Sequence, residues 1–173
     1  EIYTAPHFQL KLFEEIESKG AELGLTLYGS RALMSLRLEK SWGAWGVDYR
    51  PDFTAMESGL NQFINWKKDF IGKKFSVHEK ETGPLKKLCV MVVDTKDIDV
   101  INDEAIMKNN KCVGYVTSGG YAHYVNKSIA FGYLPVRLTK KNTKLEIEIN
   151  VQFYSAYVIT EPLYDPSDLK MRS

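Results

Sequence analysis

The residues with most capacity for chemistry lie in the stretch GSRALMSLRLEKSWGAWG, which begins at Gly29 and sets Glu39 just ahead of Trp42 and Trp45. A carboxylate is costly to bury unless donors face it, so a glutamate at a helix end, followed by glycines and two aromatic rings, marks a candidate binding edge. The competing account is plain. Glu39 could be a solvated side chain beside Arg31, Arg37 or Lys40, with the tryptophans packing a core.

The run TSGGYAHYVNKS from Thr117 invites comparison with a phosphate-binding loop because it ends in Lys127 and Ser128. That loop needs a glycine before the lysine, where this chain has Asn126, and a helix after it, where SIAFGYL reads as a strand. A tight β connection, with Gly119 and Gly120 at positive φ, is the better expectation. No GxGxxG occurs, so no dinucleotide fingerprint is present, and no GxSxG marks an activated serine. His7, His78 and His123 are far apart without metal-ligand spacing, and no metal site is expected. Cys89 and Cys112 form no CxxC pair and read as reduced core cysteines of a cytoplasmic protein.

These residues must be held by a folded frame. The chain has 173 residues, 44% hydrophobic and 26% charged, which suits one domain or two small ones. Its formal charge of +1 gives no global field to attract nucleic acid or a membrane. The longest apolar run, LCVMVV, is strand-sized, so no membrane span is expected and the chain reads as soluble. The opening EIYTAPHFQL has neither an initiator Met nor a signal-peptide pattern, and the expectation is a piece of something longer.

Residues 4–19 place Phe8, Leu12, Phe13 and Ile16 on one helical face, with Gly20 as a left-handed cap. LTLYG at 25–29 reads as a short strand, and Ser30 as the N-cap of a helix running to Lys40, with Glu39 in its last turn. Pro51 and Thr54 suggest a brief turn or helix, and QFINW at 62–66 returns to strand character. A charged, loop-like passage from His78 to Lys87 precedes a change of texture. From there LCVMVV, KCVGYVT, SIAFGYL and LEIEINVQF read as strands, with Asn109 and Asn110 as a hairpin turn. The last of these alternates Leu145, Ile147, Ile149, Val151 and Phe153 with polar residues, predicting one buried and one wet face. The expected fold class is α+β: a mixed region at 1–77, a connector at 78–84, a small antiparallel β-barrel or sandwich at 85–160, and an extended tail at 161–173.

Three segments taken as strings carry a family resemblance. Residues 27–73, LYGSRALMSLRLEKSWGAWGVDYRPDFTAMESGLNQFINWKKDFIGK, resemble the glycine cleavage T-protein (aminomethyltransferase) family, in a block of the type ALxSLRLEK, WG, ExGL, DFIG. VGYVTSGGYAHYVNKSIAFGYL at 113–134 looks like the carboxyl-terminal β domain of that family. The ending EPLYDPSDLKMRS is more similar to the tails of the dimethylglycine and sarcosine dehydrogenase branch.

The resemblance implies the C-terminal part of a folate-binding domain followed by its barrel. It also implies tetrahydrofolate as cofactor, and capture of a methylene unit from an aminomethyl carrier or a small methylated amine to give 5,10-methylenetetrahydrofolate. The pterin-binding glutamate of the family falls on Glu39, whose two oxygens suit an N–H and an amino group side by side. Trp45 would flank the folate, and Lys67 or Lys68 would meet its glutamate tail. The catalytic Asp of the family has no counterpart here, because its segment would lie upstream of Glu1. FAD is expected only in a longer parent protein. Three readings follow: a piece of an enzyme completed by its N-terminal half or a flavoprotein subunit, a non-catalytic folate-binding module, and a structural segment that self-associates as a homo-oligomer. The enzyme piece is expected to be inactive alone.

Overall fold

A computed structural model describes residues 2–170 and 172. The chain divides into two compact units, Glu1–Leu33 and Met34–Ser173.

In the first unit a 3-10 turn, Pro6–Phe8, leads into α1, Gln9–Ala21. Phe8, Phe13 and Ile16 share a face of the expected amphipathic helix, and all three are exposed. Gly20 is not the left-handed cap; that conformation falls on Gly24, at φ +76°. Gly20 is required for a different reason, because a Cβ there would stand 2.7 Å from Leu25, which folds back onto the helix end. Residues 25–29 form no strand. Without a neighbouring ladder among the described residues, an isolated apolar pentapeptide has nothing to bond with.

Helix α2, Ser30–Glu39, starts in the first unit and ends in the second, and Ser30 is its first helical residue. Its end is a Schellman turn: Ser41 takes φ +56°, its N–H donates to Leu38 O at 3.0 Å, and Trp42 N–H donates to Arg37 O at 2.9 Å. Turns follow. Thr54 and Glu57 cap one of them reciprocally, Glu57 N–H to Thr54 Oγ1 at 3.0 Å and Thr54 N–H to Glu57 Oε2 at 3.1 Å. The expected strand at 62–66 is instead a 3-10 turn, Asn61–Phe63, with Phe63 exposed and no ladder beside it. The charged passage after it is helical rather than looped: α3 spans Lys73–Thr82 between Gly72 and Gly83, both near φ +85°.

Six strands then close an antiparallel barrel in the order β1-β4-β3-β2-β5-β6. They are β1 Lys86–Val93, β2 Ala105–Lys108, β3 Lys111–Ala122, β4 Lys127–Pro135, β5 Lys144–Ile149 and β6 Gln152–Ile159. The choice between barrel and sandwich is thereby settled as a barrel. Its interior is filled by Met91, Val93, Ile106, Val116, Leu134, Ile147 and Val158 among others. Outside, Leu38 of α2 packs on Ala122, Ile129 and Phe131. The β2–β3 turn lies at Asn109 and Asn110, at φ +51° and +58°, as expected. LEIEINVQF is two strands, not one, because Asn150 and Val151 turn at φ +48° and +65°. Antiparallel pairing sets Ile149 opposite Gln152, so the inward face passes from odd to even residues, and Val151 and Phe153 are exposed rather than buried. Gly119 and Gly120 lie within β3, not at a turn; the turn of this hairpin uses Asn126 at φ +52°. A Cβ on Gly119 would come within 2.8 Å of Val100 O, so that glycine permits a close backbone approach. Cys89 is buried in the barrel, and burial pushes its thiol up to about 11; Cys112, expected in the core, is exposed.

Candidate functional site

Arg37, Leu38 and Glu39 at the end of α2, and Lys40 just after it, are all buried, so each polar head among them needs a partner. They find partners in different directions. Arg37 Nη1 donates to Asp48 Oδ2 at 2.6 Å and to Trp42 O at 3.2 Å, and its guanidinium lies 5.2 Å from the Phe131 ring centroid. Lys40 Nζ donates to Asp168 Oδ1 at 2.5 Å and to Asp165 O at 2.7 Å. The Asp168 bond raises the Lys40 pKa and lowers that of Asp168. Glu39, only 2% exposed, receives the backbone N–H of Tyr124 on Oε1 at 2.8 Å. It is therefore not a solvated glutamate, and neither basic neighbour is its counter-ion.

Glu39 receives backbone N–H groups from two tyrosines in distant parts of the chain, Tyr124 on its carboxylate and Tyr164 on its carbonyl. Tyr124 comes from the β3–β4 turn and meets Tyr164 edge-on at 4.8 Å between centroids. Tyr164 N–H donates to Glu39 O at 3.2 Å, so the tail is tied to the helix end at its backbone as well as through Lys40. Asp165 accepts the N–H groups of Leu169 and Lys170, and the Lys170 ammonium stands 5.2 Å from the Tyr164 ring. Its bond to Tyr164 raises the Lys170 pKa. Within the segment expected as an extended tail, residues 164–170 thus form a strap tied to the end of α2.

The second polar cluster was not legible beforehand. Asp48 is fully buried, and besides Arg37 it accepts Ala44 N–H at 2.9 Å, Thr117 Oγ1 at 2.5 Å and Ser118 Oγ at 2.7 Å. Adjacent strand residues normally point to opposite faces, yet both of these hydroxyls reach one carboxylate. The β3–β4 register slips between Val116 and Ser118, and such a bulge turns neighbouring side chains to the same side. Tyr133 OH donates to Asp48 O at 2.9 Å and lies 2.7 Å from Ser58 Oγ, while its ring stacks on Phe53. Burial pushes the Tyr133 phenol up to about 12, against a smaller opposing effect of Ser58. The loop that carries Trp45 is in this way bolted to the barrel.

Trp45 itself is 81% exposed and touches Tyr49 edge-on at 5.6 Å. Lys67 is exposed beside a shallow cleft lined by Gln62–Trp66, its backbone N–H donating to Asn65 Oδ1 at 3.1 Å. No hydrogen bond, ion pair or ring contact joins Glu39, Trp45 and Lys67 among the described residues. Nor do the described residues contain a group of three metal-ligating side chains or a helix long and apolar enough to cross a membrane.

Residues 86–165 match the family model described as the glycine cleavage T-protein C-terminal barrel domain, and residues 1–68 match the GCVT N-terminal domain. The chain belongs to the glycine cleavage T-protein family. Relatives include the mitochondrial dimethylglycine dehydrogenase of Homo sapiens, 36% identical over 94% of this chain and 19% of that protein. The aminomethyltransferase of a Synechocystis strain is 32% identical over 95% of this chain and 43% of its own length. The crystal structure of the glycine cleavage system aminomethyltransferase T from Bartonella henselae superposes with a TM-score of 0.73 at 25% identity, covering 78% of this chain and 38% of that one. The chain thus spans about a fifth of one relative and less than half of the other two. Within the T-protein frame, Glu39, Trp45 and Lys67 fall in the N-terminal-domain match and Tyr124 and Tyr164 in the barrel match, which ends at residue 165.

Proposed function

We propose that this chain is the tetrahydrofolate-binding C-terminal part of a one-carbon-transfer protein of the dimethylglycine dehydrogenase and aminomethyltransferase kind. The observation that carries this reading is the state of Glu39, a carboxylate buried at a helix end with one oxygen committed to Tyr124 N–H. Two carboxylate oxygens offer about four acceptor positions, so capacity remains for two further donors placed side by side, as on the edge of a pterin. A reduced folate fits such a donor-hungry acid. When bound, it would supply the amine nitrogens that take up a methylene unit as 5,10-methylenetetrahydrofolate.

The work of the chain is to bind and orient. Tyr124 N–H fixes the Glu39 carboxylate, and a fixed pair of acceptors sets the plane of the ring it holds. Tyr124 and Tyr164 meet edge-on, and in this reading the pair would offer an aromatic face to a flat heterocycle. Trp45, exposed on a loop anchored through Asp48, would flank the ligand, and the exposed Lys67 would meet its carboxylate tail. The methylene donor would be an aminomethyl carrier or a small methylated amine. The residues that polarise the folate nitrogen are expected on the remaining part of a longer protein or on a partner chain.

The test is a titration of the full-length protein with tetrahydrofolate, wild type against Glu39→Gln. The amide keeps an oxygen for Tyr124 N–H, so the fold is retained. Loss of one good charged acceptor weakens affinity by about 1 to 3 kcal/mol, roughly five- to 150-fold. Equal affinity for both proteins rejects the role given to Glu39.

A further inference from the structure

A cleft of about 930 Å³ opens where one end of β1, the β3–β4 turn, the start of β5 and the middle of β6 meet. Lys96, Lys127 and Lys144 stand on its lining against a single carboxylate, that of Asp94. None of the three ammonium groups makes an ion pair among the described residues. The chain as a whole carries only +1, so this is a local concentration of positive charge. Lysines on exposed strands often serve to block edge-to-edge pairing, but a closed barrel has no edge to protect.

Beneath the charges the lining is mixed: Val93, Leu145 and Ala156 of the barrel core lie under it, among the hydroxyls of Thr95, Ser128 and Ser155. Its rim is held. Asp94 N–H donates to Ser155 O at 2.8 Å, Asn142 N–H to Val158 O at 2.8 Å, and Thr95 Oγ1 and Ser128 Oγ lie 2.5 Å apart. Tyr121 OH donates to Asn126 Oδ1 at 3.4 Å, which leaves the Asn126 amide N–H groups as donors beside Lys127.

We propose that this cleft is a second ligand site, and that its occupant is a small oligocarboxylate whose acid groups are joined by a short hydrocarbon body. Three separate ammonium points suit several spaced carboxylates; a lone phosphate would be served better by a guanidinium fork, and no arginine lines the cleft. Val93, Leu145 and Ala156 receive the carbon chain. Such a molecule has two sources: a free di- or tricarboxylate, or the further γ-linked glutamates of a folate, beyond the first glutamate that Lys67 would meet. The β3–β4 turn connects the two regions, since Tyr121 and Asn126 line the cleft while Tyr124 caps Glu39. The tail source rests on the folate reading above; the cleft itself does not.

Free tri-γ-glutamate, citrate and inorganic phosphate are titrated calorimetrically into the full chain, its Glu39→Gln variant and a Lys127→Gln/Lys144→Gln double variant. Both lysines are exposed, so the double variant folds. Saturable binding of triglutamate or citrate is expected, weakened by salt, unchanged in Glu39→Gln and reduced by about fivefold for each ammonium removed, about 25-fold for the pair. Absence of saturable binding, equal binding by the double variant, or phosphate binding as tightly as either oligocarboxylate overturns the proposal. Reduced folate with one and with three glutamates then separates the sources. A loss in the double variant confined to the triglutamyl form supports the tail, and unchanged affinity for both forms, with citrate binding still lost, supports the free acid.

Discussion

Removing the Asp48 carboxylate takes four acceptor contacts from a fully buried site and leaves the Arg37 guanidinium buried and uncompensated. Breaking one side of a buried ion pair costs about 3 to 5 kcal/mol, because the remaining charge stays desolvated. Two Arg37 donors, Nε and Nη2, already lack a hydrogen-bond partner, so no other group is placed to take over. Asp48→Ala is therefore expected to lose about 3 to 5 kcal/mol in urea unfolding, or about 6 to 20 °C in Tm for a chain of this size. Asp48→Asn separates charge from hydrogen bonding. Its carbonyl can still accept Arg37 and Ala44, and its amide can donate to Thr117 and Ser118 after their hydroxyls rotate, so it should cost clearly less than alanine. The double replacement Arg37→Met/Asp48→Leu removes both charges and should recover part of the loss, while Ala44 N–H and the Thr117 and Ser118 hydroxyls still lack their acceptor. If Asp48→Ala unfolds within about 1 kcal/mol of wild type, the pair is not holding the Trp45 loop to the barrel and the reasoning fails.

Other consequences are equally measurable. The Tyr133 phenol is held protonated by burial, its folded pKa lying above the ordinary value of 10 at about 12. The associated stability is present below pH 10 and lost as pH rises toward 12, so the denaturant midpoint of wild type should fall across that window while Tyr133→Phe shows a flatter profile; parallel profiles would contradict this. Gly119→Ala forces a methyl against Val100 O at 2.8 Å, and equilibrium unfolding should show a loss of about 1 to 3 kcal/mol; a neutral substitution would mean the backbone gives way freely. Lys40→Ala removes the ammonium that holds Asp165 and Asp168, and amide exchange should accelerate over residues 161–170 but not in the barrel strands. Unchanged exchange there would assign the strap's hold to Tyr164 instead.

The barrel was the most legible part of the chain. Runs such as LCVMVV and SIAFGYL are dense in β-formers and bounded by turn residues, and an Asn-Asn pair at positive φ is a strong hairpin signal. Legibility failed where pairing, not composition, decides. LEIEINVQF keeps its alternation through a two-residue turn, so nothing in the string announces the change of face at Ile149. Residues 25–29 and 62–66 are apolar enough for strands but have no ladder to join. α3 is rich in Lys and Glu, which resemble a solvated loop until Gly72 and Gly83 are recognised as its ends.

The same division holds for the candidate site. Glu39 stood out because a carboxylate at a helix end among aromatic residues needs a reason, and the structure places it buried with Tyr124 N–H as its partner. Tyr124 and Tyr164 did not, because only the folded hairpin and strap bring them to it. Asp48 was hidden more deeply: its partners Thr117 and Ser118 converge through a bulge that no residue type in β3 advertises.

The most direct measurement is a crystal of the full-length protein soaked in folinic acid, read at Glu39. The pterin edge is expected within about 3.2 Å of the carboxylate oxygens, with Tyr124 N–H still bonded to Oε1. A pterin bound elsewhere, with Glu39 bonded only to the protein, would contradict the assignment.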